Sequence, residues 1–143
     1  MDPSTFYAQG NAEFVEERYA EAVSAYNVAI ELADDQAAYF RARAAAHLKL
    51  GDFAAALEDS AAAVRLDVSN AMGHFRLGLA NFYVGSFSDA LASFKRASSL
   101  DASTVTADCF SKSSKLSHLS EFQTFRISAS GMSSPLRSRL RYG

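Results

Sequence analysis

Tryptophan is missing from this chain, and cysteine and proline are almost missing: 143 residues hold no tryptophan, one cysteine and two prolines. A single cysteine, Cys109, excludes an intramolecular disulfide and agrees with a reducing compartment. The prolines, Pro3 and Pro135, leave the stretch between them free to continue as helix, which its abundant alanine favours. No apolar run approaches the roughly 18 residues of a membrane span. The opening MDPSTFYAQG has neither the basic segment nor the apolar stretch of a signal peptide. These absences point to a chain of the cytoplasm, with the nucleus as a second compartment, and no membrane partner.

Catalytic patterns are missing too. There is no glycine-rich phosphate loop, no GxSxG turn and no HExxH helix. His47, His74 and His118 have no Cys, Asp or Glu at ligand spacing, so no metal site, no cofactor and no catalytic residue is expected. Charge of one sign is scarce at each end. Residues 1–110 hold 15 acidic and 8 basic side chains, a balance of −7, whereas residues 111–143 hold 1 acidic and 6 basic, a balance of +5. That asymmetry predicts an acidic folded body and a basic, Ser- and Arg-rich tail over 121–143 that reads as disordered. The tail lacks the interleaved aromatics of a nucleic-acid binder, so no nucleic acid is expected as partner. Its Ser134-Pro135 pair fits proline-directed phosphorylation at Ser134.

What the chain does have is a repetition. One constant step carries Gly10 to Ala44 to Gly78, and Tyr19 to Phe53 to Phe87. The same step carries Ala22 to Ala56 to Ala90, Ala29 to Ala63 to Ala97, and Leu32 to Leu66 to Leu100. Small residues in three of these columns let paired helices nest, so Gly10, Ala44 and Gly78 are expected at a crossing with Ala22, Ala56 and Ala90. The aromatics at 19, 53 and 87 are expected to fill the space between one repeat and the next. The spacing predicts helices from near Pro3, then Tyr19–Leu32, about Gln36–Leu50, Phe53–Leu66, Ala71–Val84 and Phe87–Leu100. Phe40, Ala44 and His47 should point inward from the third. Asp34 and Asp35 are candidate caps for the third helix, and Ser69 and Asn70 for the fifth.

This pattern resembles the tetratricopeptide-repeat (TPR) family. The resemblance implies an all-α solenoid of three helix-turn-helix repeats, 3–36, 37–70 and 71–104, followed by a capping helix at about 105–120. The repeat domain would thus cover 3–120. Family members usually have proline at the repeat ends, where Asp34, Val68 and Ala102 stand here. Within the family, GNAEFVEERYAEAVSAYNVAIEL and RAAAHLKLGDF are similar to the TPR module of the adaptor family called suppressor of the G-two allele of skp-one.

The resemblance implies a non-enzymatic protein-binding adaptor of the co-chaperone class, with a chaperone or ubiquitin-ligase component as partner. Projecting the repeat register places Tyr7, Asn11, Arg41, Lys49, Met72, Phe75, Arg76 and Leu79 on the concave wall, an apolar groove dotted with cations that suits a peptide carrying an acidic group. Chaperone-tail-binding members use two lysines, two asparagines and an arginine, at places that hold Tyr7, Met72, Asn11, Ala42 and Arg76 here. Only Asn11 and Arg76 match, so the resemblance stops short of that full clamp. The alternative use of such a module is self-association as a homodimer.

Overall fold

The computed structural model describes residues 2–106 and 109–113. Six α-helices follow one another: α1 Pro3–Val15, α2 Tyr19–Leu32, α3 Ala37–Leu50, α4 Phe53–Leu66, α5 Ala71–Val84 and α6 Phe87–Leu100. Each pairs with the next in three consecutive hairpins, α3 also touches α1 and α5, and no strand occurs among the described residues. This is a three-repeat TPR solenoid, as the period of the sequence predicts. Residues 109–113 are helical again, and there Cys109 and Phe110 cover the apolar face of α6 formed by Ala90, Phe94 and Ala97. The basic tail and Ser134 lie outside the described residues.

Local chemistry accounts for the helix ends. Pro3 occupies the first turn of α1, where its missing amide hydrogen would have had no partner, and Asp2 caps that helix by accepting from the Ser4 amide. Asp52 and Asn70 cap α4 and α5 by accepting from the amides of Ala55 and Gly73. The α3 cap corrects the expectation: its capping residue is Gln36, without a side-chain hydrogen bond, and neither Asp34 nor Asp35 serves. Nor do the repeat ends need proline. The Asp67 carboxylate accepts from the Ser69 amide and hydroxyl, and Asp101 does the same for Ser103, which fixes the turns after α4 and α6.

The three intra-pair turns share one backbone shape with unequal chemistry. Gly51 and Gly85 stand at φ +81° and +92°, and their counterpart in the first repeat is Glu17 at φ +62°. A side chain in this left-handed region costs about 1 kcal/mol that glycine does not incur. Glu17→Gly should therefore raise stability by roughly 0.5 kcal/mol, since glycine's greater freedom in the unfolded chain offsets part of the relief. Urea unfolding checks it, and a loss of stability would contradict this account of the turn.

Packing corrects two further expectations. The residues facing Gly10 and Gly78 are aromatic: a Cβ on Gly10 would lie 2.4 Å from the Tyr26 ring, and one on Gly78 would lie 2.6 Å from Phe94. In the middle repeat the same two columns hold Ala44 and Ser60, both buried. Flat rings reach across the crossing only where the opposite helix offers bare backbone. Among the described ring contacts of the column aromatics, Phe53 reaches across repeats, stacking on Tyr83 at 4.6 Å, whereas the rings of Tyr19 and Phe87 meet Phe14 and Phe82 of their own pairs. On α3 the buried residues are Tyr39, Ala44 and Ala46, while Phe40 is half-buried under the Arg43 guanidinium and His47 is half-buried beside Asp59.

One polar cluster joins three helices. Arg43 on α3 donates through Nε and Nη2 to both carboxylate oxygens of Asp59 on α4, at 2.8 and 2.7 Å, and through Nη1 to Asn27 on α2 at 2.8 Å. Asp59 is only 5% exposed. The planar fork of arginine is what lets one side chain tie the first repeat to the second.

Candidate functional site

The first helices of the three pairs line one wall, and there a cleft of about 280 Å³ opens. Helix α1 contributes Tyr7, Asn11, Phe14 and Val15; α3 contributes Arg41, Ala42 and Ala45; Tyr26 comes from α2 and Arg76 from α5. The position of each follows from the repeat. A turn of helix advances about 3.6 residues, so Tyr7 and Asn11 share a face of α1. The repeat step then brings the corresponding faces of α3 and α5 beside them. Alanines at 42 and 45 keep the floor low enough to leave a space.

Two aromatic hydroxyl groups and two guanidiniums define the chemistry. The Tyr26 hydroxyl donates to Asn11 Oδ1 at 2.7 Å, which occupies the amide oxygen and leaves the NH2 as the remaining donor of Asn11. Burial, with Tyr7 nearby, pushes the Tyr26 phenol up to about 12, so it stays protonated and remains a donor at physiological pH. Tyr7 packs against Tyr39 at 4.9 Å and Tyr26 at 6.0 Å, which fixes its ring at one side of the cleft. On the other side, Arg76 Nη1 donates to the backbone carbonyl of Arg41 at 3.0 Å. That bond locks two cations together.

Burial pushes the Arg76 guanidinium down from its ordinary value, and the like charge of Arg41 adds to the effect. Arginine's ordinary value is so high that Arg76 remains charged all the same. Arg41 is largely covered, and its Nη1 has no hydrogen-bond partner among the described residues; the nearest carboxylate oxygen, on Asp67, is 3.9 Å away. A buried guanidinium nitrogen without a hydrogen-bond acceptor is costly, and the ion pair with Asp67 offsets part of that cost. The arrangement is thus a small apolar-walled receptor with two guanidiniums at its base.

Of the residues projected from the sequence, the fold brings Tyr7, Asn11, Arg41 and Arg76 to this cleft and leaves four away from it. Lys49 is exposed near the end of α3, and Met72 is 37% exposed in the first turn of α5. Phe75 and Leu79 are rotated toward α6 and pack on the Phe94 cluster, with Phe75 and Phe94 ring centres 5.9 Å apart. The projection missed Tyr26 because it lies on a second helix. Its signal was the glycine opposite, since Gly10 makes room for the ring that reaches the cleft. Among the described residues no group of His, Cys, Asp and Glu could hold a metal ion, and no helix is long and apolar enough to cross a membrane.

No family model matches the chain. Among curated proteins it is similar to human DnaJ homolog subfamily C member 7, 39% identical over 106 residues, which covers 74% of this chain and 22% of that protein. The chain thus spans about a fifth of the length of the curated relatives it matches first. Among solved structures it resembles the TPR domain of Arabidopsis OM64, with a TM-score of 0.73 and 28% identity over 80% of this chain and 93% of that one. It also resembles the second TPR of Spaghetti (RPAP3) bound to the HSP90 peptide SRMEEVD, with a TM-score of 0.69 and 27% identity over 71% of this chain and 94% of that one.

Proposed function

We propose that this chain, a tetratricopeptide-repeat protein, is an adaptor of the co-chaperone type whose concave cleft holds an acidic peptide against Arg41 and Arg76. The single observation that carries this reading is the pair of guanidiniums lining one cleft, with Arg76 desolvated and tied through Nη1 to the Arg41 backbone carbonyl. One carboxylate, from an acidic side chain or a peptide terminus, would accept from both guanidiniums in a water-poor setting where charge-assisted bonds are strongest. Tyr7 and Phe14 would cover an apolar side chain of the same peptide. The RPAP3 domain is described with a peptide ending in Glu-Glu-Val-Asp, which supports acidic ligands as the class. Tyr7 and Met72 stand where the clamp lysines of tail-binding relatives would be, so the anchor here is the arginine pair. Assembly with a chaperone or ubiquitin-ligase component is the setting we propose for it.

Burying two apolar side chains and one paired carboxylate, less the ordering of the peptide, corresponds to a dissociation constant on the order of 10 μM. In a calorimetric titration with SRMEEVD, Arg41→Ala combined with Arg76→Ala should weaken binding by about thirtyfold. Lys49→Ala should leave it unchanged, because Lys49 is away from the cleft. Circular dichroism of each variant separates lost binding from lost fold. Equal affinity of a folded double variant and the parent chain would remove the cleft from the function.

A further inference from the structure

A second cleft, of about 360 Å³, opens at the other face of the first repeat, between α1 and α2, lined by Phe6, Gln9, Glu13, Glu21, Ala25 and Val28 among others. The repeat register says what this face is built to receive. Moved on by one repeat, Gln9 becomes Arg43, which bonds Asn27 on the helix of the preceding repeat. Ala12 becomes Ala46 and then Ala80, both fully buried, whereas Ala12 itself is exposed. At the later junction a Cβ on Gly73 of α5 would meet Val64 of α4 at 3.6 Å. In repeats 2 and 3 this face lies under the second helix of the pair before it. In repeat 1 Gln9 and Ala12 are exposed and Phe6 and Val28 half-buried on this face, with no preceding helix over them.

The rim of this face is acidic. Glu13 is paired with Arg18 at 2.6 Å, and Glu16 and Glu21 also act on that guanidinium, so one cation stands among three carboxylates. Two copies meeting through this face would bring like charges together, which argues against a homodimer here. A basic segment with apolar residues at helical spacing fits instead. The chain itself carries one: after Glu121 there is no acidic residue, while Arg126, Arg137, Arg139 and Arg141 follow, with Leu136 and Leu140 four apart. Residues 114–136 can extend to about 75 Å, which exceeds the roughly 50 Å of five successive interhelix spacings. The segment can therefore reach from the last helix back to the first.

We propose that the C-terminal Arg-rich segment of the same chain docks on the open face of the first repeat, with Leu136 and Leu140 against Phe6 and Val28 and its arginines toward Glu13 and Glu21. The tether makes this docking independent of protein concentration. It does not depend on what the concave cleft binds.

The test is hydrogen exchange on the full chain at low salt, compared with the full chain carrying Arg137→Glu, Arg139→Glu and Arg141→Glu. All three positions lie beyond the folded repeats, so their replacement leaves the solenoid intact. Amides of 5–14 and 20–28 should exchange about fivefold more slowly in the unaltered chain. The protection should persist on tenfold dilution and fade at roughly 0.5 M salt, where charges of this kind are screened. Equal exchange in the two chains would overturn the proposal. So would protection that disappears on dilution, which would assign the face to a second copy.

Discussion

Replacing Asp59 with alanine is expected to lower stability by about 3 kcal/mol. The carboxylate lies 5% exposed and accepts two hydrogen bonds from one guanidinium. Its removal leaves Arg43 charged and mostly covered, over the Phe40 ring, with the amide oxygen of Asn27 as its remaining acceptor among the described residues. Arginine cannot escape by losing its proton, so the desolvation penalty falls wholly on the folded state. The companion experiment is Arg43→Met with Asp59→Leu. Replacing both charges by apolar groups removes the unpaired ion, and this double variant should recover most of the lost stability. Should Asp59→Ala unfold at the same urea concentration as the parent chain, the ion pair does not hold the first repeat to the second.

The second large effect concerns Gly78. Its missing side chain is filled by the Phe94 ring, which is 1% exposed and held between Phe75 and Val105, so it has nowhere to move. Gly78→Ala should cost about 2 kcal/mol through overpacking, even though alanine is intrinsically the better helix former by about 1 kcal/mol. The middle repeat shows the alternative solution, Ala44 opposite Ser60. In a chain already carrying Phe94→Ser, Gly78→Ala should therefore be neutral or stabilising. A double-mutant cycle measures the difference, and a coupling near zero would mean that the glycine is not matched to the ring. Gly10 and Tyr26 form the same pair in the first repeat, where the Tyr26 hydroxyl also bonds Asn11.

These two cases show where legibility in the sequence stops. The helices begin and end where the period and the turn residues place them: Tyr19–Leu32, Phe53–Leu66 and Phe87–Leu100 coincide with the sequence reading. Spacing along one helix is a local property, set by 3.6 residues per turn and by which residues tolerate a turn. That Gly10 and Gly78 were small for a reason was equally plain. Their partners were not, because a crossing point depends on the rotation of the second helix about its own axis. Tyr26 and Phe94 occupy one column of the repeat, yet the sequence reading had paired their glycines with Ala22 and Ala90, a helical turn earlier.

The concave cleft divides in the same way. Tyr7, Asn11, Arg41 and Arg76 line the cleft, while Phe75 and Leu79 turn into the core against α6. Neighbouring residues on a helix differ by about 100° in direction, so a small rotation of α5 decides which of them faces the cleft. The sequence by itself determined the number of helices, their lengths and the side of each repeat that carries small residues, because these follow from a period written into local spacing. Only the tertiary structure decided that Arg76 would meet the backbone of Arg41, one repeat away, and that Arg43 would join Asn27 to Asp59. Such meetings depend on how one packed pair is turned against the next, and no spacing within a single helix contains that angle.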